Sequence, residues 1–249
     1  MRNPETLSLR QKYAQHYEVN KAHSPQESVI SLLQRSRHIT EGLGAGDVVL
    51  DIGSGRQNLE ITYKRMYGKP DFTLLSMDFA NLRRKQLLAR DTKNVHHIQA
   101  DGTALPLRDN SISLVVSNMA LDFMPKEAIG EIARVLKPGG NAYINLSYPA
   151  LKLENVPDLD ALMASRKTTA SKRNELQFWR DYLMNNDVLV SDTKSAADVY
   201  SRHGFTVQSM QEVPNRNYDW CEVDMKNTKG VIFSLSEHQA RQAEVLAAD

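Results

Sequence analysis

The sequence predicts an α/β fold built on a doubly wound, mostly parallel sheet. Three observations predict it. Short apolar runs, Val48–Ile52, Phe72–Met77 and Val95–Gln99, have the β-branched, aliphatic character of interior parallel strands. Helix-length segments separate them, as right-handed crossovers between parallel strands require. Each run leads into an acidic residue, Asp51, Asp78 and Asp101 in turn, and the first opens on the turn Gly53-Ser54-Gly55.

The elements follow in order. Residues 1–46 read as a helical cover ahead of the sheet. Ser28 to Leu43 places Val29, Leu32, Leu33 and Ile39 on one helix face. Upstream, Tyr13 and Tyr17 stand four apart and share a face, with His16 beside them. Residues 47–148 form the alternating strand–helix core. Its first strand ends at Asp51 and Ile52, and Gly53 and Gly55 turn the chain sharply with no β-carbon in the way of a ligand. The following helix points its positive end into the same crevice. A dinucleotide fingerprint would need a glycine at position 58, and Asp51 would repel a pyrophosphate. The carboxylate suits a cationic ammonium instead. Asp78, ending the second strand, is placed to take both hydroxyls of a ribose. Asp101, in Ala100-Asp101-Gly102, can accept a hydrogen bond from an exocyclic amine such as adenine N6.

With these residues in hand, the chain resembles the class I S-adenosylmethionine-dependent methyltransferases, of the broad type that methylates small molecules. Three further segments carry the likeness. Asp109–Asn118 is similar to the family's fourth strand with its acidic turn. Glu131–Gly140 is similar to the helix and Pro-Gly-Gly turn before the fifth strand, and Asn141–Ser147 to that strand. The helix itself, Lys126–Lys137, carries Ile129, Ile132, Ala133 and Leu136 on one face, and Lys137-Pro138-Gly139-Gly140 is expected to stop it. The resemblance implies a Rossmann-like, seven-stranded, mostly parallel sheet with an antiparallel C-terminal strand. It implies S-adenosyl-L-methionine as cofactor, held by Asp51, Gly53, Ser54, Gly55, Asp78, Phe79, Asp101, Gly102 and Asn118. One departure stands out: the third glycine of the family's G-x-G-x-G loop is Gln57 here. Either its side chain points away and binding survives, or it narrows the pocket.

Residues 149–195 break the alternation and read as a helical lid or insertion, with a mixed helical stretch over Leu159–Met184. Lys167, Lys172, Arg173 and Arg180 interleave there with Phe178, Trp179 and Tyr182. Such a mixture can bind nucleic acid, but it reads more simply as a solvated helix face with a packed back. Residues 196–249 complete the core. Ser195–His203 is expected to be a helix, Gly204–Val207 opens a strand, and a last strand is expected near Val231–Ser236. In the family the last two strands form an antiparallel hairpin at the sheet edge.

Methyl transfer from a sulfonium needs alignment more than activation, and a base only where the acceptor must lose a proton. The candidates are Asp122 after the fourth strand, Tyr148 at the end of the fifth, and His16. Each has a plainer reading: an N-cap or surface acid, lid packing, and a solvated helix residue. Acceptor contacts fall to Tyr13, Tyr17, Met119, Phe123 and Tyr148. His96 and His97 are adjacent on one strand and point to opposite faces, and neither H-x-x-x-H nor C-x-x-C occurs, so no metal is expected.

Composition narrows the function classes. A chain of 249 residues can bury a sizeable core, and its net charge of +1 argues against a nucleic-acid or anionic-membrane partner. No apolar run nears the roughly 18 residues of a membrane span, and no secretory leader is visible. The single cysteine, Cys221, excludes an intramolecular disulfide and fits a reducing, cytoplasmic setting. The expected activity is therefore methyl transfer to a small molecule. Two rivals are an RNA-modifying methyltransferase that uses the basic lid, and a cofactor-binding scaffold without turnover.

Overall fold

The computed structural model describes residues 26–55, 58–79, 93–146, 156–170, 172–174, 176, 177, 180, 193–213 and 220–228. Strands β1 (Val48–Ile52), β2 (Thr73–Asp78), β3 (Val95–Gln99), β4 (Ile112–Asn118), β5 (Leu136–Leu146), β6 (Phe205–Val213) and β7 (Trp220–Asn227) form one sheet in the order β3-β2-β1-β4-β5-β7-β6. The first five pair in parallel, and β7 runs antiparallel to both β5 and β6. The strand order reverses between β1 and β4. Ligands of open α/β sheets bind in the crevice outside the carboxyl ends of the strands at such a reversal.

Helices cover both faces. On one, α1 (Gln26–Thr40) and α2 (Asn58–Tyr67) pack Val29, Leu32, Leu33 and Leu59 onto Val49, Leu74, Leu114, Val116 and Tyr143. On the other, α3 (Glu127–Val135) buries Ala128, Ile129, Ile132, Ala133 and Val135 against Leu50, Ile52, Val115 and Ile144. Tyr200 of α5 (Thr193–Arg202) joins that second core. The apolar stripe expected over Ser28–Leu43 is therefore real, and the helix ends three residues sooner, at Thr40.

Two strand boundaries differ from expectation. The helix expected over Lys126–Lys137 stops at Val135, because Leu136 already pairs with Ile112 in the sheet. Strand β5 then carries Lys137–Gly140 as a bulge, with Gly139 at φ 74°, before Asn141 resumes pairing opposite Leu114. The Pro-Gly-Gly turn thus bends a strand that has already begun. The last strand is the second difference. Residues 231–236 lie outside the described residues, and β7, the antiparallel partner of β5 and β6, occupies 220–227. Its inward residues Val223, Met225 and Asn227 alternate with charged ones. That mixture hides a strand that is buried on one face and polar on the other.

The segment after β5 contributes α4 (Val156–Ala164). Arg180 donates to Asp160 at 2.6 Å, and Arg173 donates to the Met163 carbonyl at 3.0 Å. Arg173 and Arg180 are thus engaged with their own segment, as in a solvated helical face. Among the described residues no helix is long and apolar enough to cross a membrane, and no cluster of metal-ligating side chains is found.

Candidate active site at the carboxyl edge of the sheet

One of the rows of paired residues that cross all seven strands is His97, Ser76, Asp51, Val116, Tyr143, Asp224 and Ser209. Paired residues share a face, so this row lies beneath α1 and α2. Polar residues dominate it, although the face around it is apolar. Asp51 stands third along it, next to Val116 across the strand-order reversal, and is 2 % exposed. Its Oδ2 is buried without a hydrogen-bond partner. Burial, reinforced by the nearby carboxylates of Asp78 and Glu60, pushes the Asp51 carboxyl up to about 8. A buried carboxylate of this kind costs free energy unless something pairs with it.

The glycine turn lies just beyond. Gly53 and Gly55 have φ of 74° and 51°, a left-handed region that side chains with a β-carbon seldom enter. The amides of Gly53 and Ser54 both donate to the Met77 carbonyl at 2.8 Å, and the Gly55 amide donates to Asp78 Oδ2 at 2.9 Å. Asp78 therefore holds the turn in shape, a role its position at a strand end did not announce. The space a β-carbon on Gly53 would need is already taken: Ala120 Cβ lies 2.1 Å from that point. At Gly102 a β-carbon would meet Met124 Sδ at 2.7 Å. Both glycines thus admit the loop after β4.

That loop is conformationally marked. Met119 has φ 55°, one of two described non-glycine residues with a positive φ. A short 3₁₀ turn, Leu121–Phe123, follows, and Asp122 in it is fully buried. The surface reading of Asp122 is thereby corrected. The N-cap reading fails as well, since Lys126 precedes α3. Asp101 accepts hydrogen bonds from the Thr103 amide and hydroxyl at 2.9 and 2.8 Å, closing the turn after β3. Phe79 is exposed next to Asp78, and Gln99 donates to its carbonyl at 3.2 Å. Asn118, at the tip of β4, accepts a hydrogen bond from Asn145 at 2.9 Å.

The structure thus brings Asp51, the Gly53–Gly55 turn, Asp78, Asn118, Met119 and the loop of Asp122 and Phe123 to one edge of the sheet. Tyr13, His16, Tyr17, Gln57 and Tyr148 lie outside the described residues. Two residues of this region escaped sequence reasoning. Asn145 is fully buried in β5, and Arg35 of α1 reaches it and Asp224. A polar residue inside a strand that otherwise reads as core was the available signal.

Comparison with known proteins now bears on this geometry. Residues 50–144 match the family profile described as a methyltransferase domain. The chain is 31 % identical over 173 residues to the malonyl-acyl-carrier-protein O-methyltransferase of Marinomonas sp. (strain MWYL1), covering 64 % of this chain and 63 % of that protein. It is 30 % identical over 169 residues to the ubiquinone/menaquinone biosynthesis C-methyltransferase UbiE of Blochmanniella pennsylvanica (strain BPEN), covering 65 % of this chain and 66 % of that protein. Together these matches support a class I S-adenosylmethionine-dependent methyltransferase. It spans under two thirds of the length of these curated relatives. The methyltransferase fold also resembles that of the solved Haemonchus contortus phosphoethanolamine N-methyltransferase 2 in complex with phosphomonomethylethanolamine and S-adenosylhomocysteine. That match has a TM-score of 0.56 and 12 % identity, covering 90 % of this chain and 61 % of that one.

The cofactor such a family uses can be tested against the residues present. Asp51 Oδ2 is an unpaired, buried acceptor at the strand-order reversal, suited to an ammonium group. Asn118 Nδ2 is an unpaired, buried donor on the same face, suited to an anionic oxygen. The residues fit an amino-acid head group.

Proposed function

We propose that this chain transfers a methyl group from S-adenosylmethionine to a small-molecule acceptor. The observation that carries the reading is the buried Asp51 carboxylate with an unpartnered oxygen, placed at the strand-order reversal beside a left-handed glycine turn. In this reading Asp51 pairs with the ammonium of the cofactor's amino-acid end. Asp78 receives the ribose hydroxyls while continuing to hold the Gly55 amide, since a carboxylate offers about four acceptor sites. Asp101 and Gly102 border the base, and Ser54, Phe79 and Asn118 complete the wall.

When bound, the cofactor supplies a methyl group already activated by a positive sulfur. The protein's share is alignment, worth ~7–11 kcal/mol in favourable cases. Met119 and the turn at Asp122 and Phe123 border the place where the acceptor must stand. Tyr13, Tyr17 and Tyr148 are proposed to add to its walls. The relatives' names carry O- and C-methyl transfer, and a small organic acceptor fits the near-neutral net charge of this chain.

Calorimetry of the full chain with S-adenosylhomocysteine tests the first half of the reading, and Asp78→Ala should weaken that binding by roughly tenfold or more. Formation of S-adenosylhomocysteine from S-adenosylmethionine in the presence of fractionated metabolites tests the second half. Cofactor binding with no turnover on any fraction would leave a binding protein in place of an enzyme.

A further inference from the structure

Asn118 is the end of a chain of hydrogen bonds that begins at the far edge of the sheet. Ser209 of β6 donates to Asp224 Oδ2 at 2.9 Å. The Arg35 guanidinium of α1 ion-pairs with the other oxygen of Asp224 and donates through its second terminal nitrogen to Asn145 Oδ1. The Asn145 amide nitrogen then donates twice, to the Ser28 carbonyl at 2.7 Å and to Asn118 Oδ1 at 2.9 Å.

The order of donors along this chain is forced. A guanidinium only donates, so Asn145 must turn its carbonyl oxygen to Arg35. Its amide nitrogen then faces Ser28 and Asn118. Asn118 must in turn offer its oxygen to Asn145, which leaves its own nitrogen pointing the other way. That nitrogen is buried and has no partner. Asn118 follows Val116 by two positions on β4, so it shares a face with Asp51, one strand over. Roughly 8 Å separates two such backbones, combining the usual strand spacing with two residues of rise. An amino-acid head group can bridge that gap with its ammonium on Asp51 and its carboxylate on Asn118.

We propose that Arg35 and Asn145 are positioning residues that lock the Asn118 amide with its NH₂ turned into the crevice, where it receives the carboxylate of the bound cofactor's amino-acid end. The proposal rests on the cofactor reading above. It assigns to α1, a helix outside the matched segment 50–144, a part in recognising the cofactor.

The test compares two probes on the full chain by calorimetry: S-adenosylhomocysteine, and its decarboxylated analogue, which keeps the amine and lacks the carboxylate. Asn118→Ala should weaken S-adenosylhomocysteine by roughly tenfold or more, the range for a hydrogen bond to a charged group, and leave the analogue unchanged. Asn145→Asp offers only acceptors, so Asn118 should turn its NH₂ back toward position 145. The loss should then equal that of Asn118→Ala, again with no change for the analogue, and the double variant should lose no more than either single one. Should Asn145→Asp fail to fold, Arg35→Met leaves only the Ser28 carbonyl to orient the Asn145 amide and so loosens the hold on Asn118. It should cost at least about twofold with S-adenosylhomocysteine alone. Equal weakening of both probes by these variants would mean general damage and overturn the relay, as would unchanged S-adenosylhomocysteine binding in Asn118→Ala. Failure of the unaltered chain to bind either probe would instead sink the cofactor reading, on which the relay depends.

Discussion

Gly53 and Ala120 stand so close that a β-carbon on Gly53 would lie 2.1 Å from that of Ala120. The turn after β1 and the loop after β4 are thereby pressed together across the strand-order reversal. Gly53→Ala should cost about 1–2 kcal/mol for its left-handed backbone and about 1–3 kcal/mol more for overpacking. A fall in Tm of roughly 5–15 °C is the expected result for a chain of this size. Adding Ala120→Gly should recover the overpacking part and not the backbone part. Equal melting temperatures for the single and double variants would show that the contact carries no energy.

How much of this was legible in the sequence depends on distance along the chain. The strand ends at Asp51 and Asp78, the glycine turn and the core stripe of α1 are local patterns, and each stands where the pattern puts it. The second role of Asp78, holding the Gly55 amide, needs two strands side by side and could not be read from either one. Arg35 and Asp224 lie 189 positions apart and meet only because β7 inserts next to β5. That insertion was itself obscured by the charges that make β7 polar on one face. Asn145 carries a visible signal, a polar residue inside an apolar strand. Its donor order, however, is set by Arg35 and the Ser28 carbonyl, both distant in sequence.

The raised Asp51 carboxyl makes the stability of the empty protein depend on pH in a stated direction. Its folded value is about 8 against an ordinary 3.8, so the folded chain holds more protons than the unfolded one between those limits. Stability from this group is therefore greatest below about pH 4 and falls as pH rises toward 8. Asp51→Asn removes the titration. Urea unfolding at pH 5, 6, 7 and 8 should show the variant gaining on the parent as pH rises. A constant difference across that range would mean that Asp51 is not held protonated in the folded state.

Cofactor affinity should run the opposite way. Pairing with an ammonium favours the charged carboxylate, so binding draws the Asp51 value down and expels a proton. Between pH 5 and 7 the α-amino group of S-adenosylhomocysteine stays largely charged, given an ordinary value of about 8. Affinity should rise over this range by up to roughly tenfold per pH unit. Calorimetry in two buffers of different ionisation heat should register proton release at pH 6. Binding without proton exchange at that pH would remove Asp51 from contact with the ammonium.

The buried Asp122 allows alignment to be separated from base catalysis. The residue lies in the turn that follows the left-handed Met119, beside the proposed acceptor position. Asp122→Asn keeps the shape and removes the capacity to take a proton. If the acceptor needs only placement beside an activated methyl, turnover should fall less than about tenfold, with S-adenosylhomocysteine binding unchanged. General-base catalysis typically contributes about 10²–10⁴-fold. A loss in that range, with the same cofactor affinity and the same melting temperature, would identify Asp122 as the group that takes the acceptor's proton. A loss accompanied by a lower melting temperature would instead assign the buried carboxylate to holding the loop. Measuring kcat, S-adenosylhomocysteine affinity and Tm on one preparation distinguishes all three outcomes.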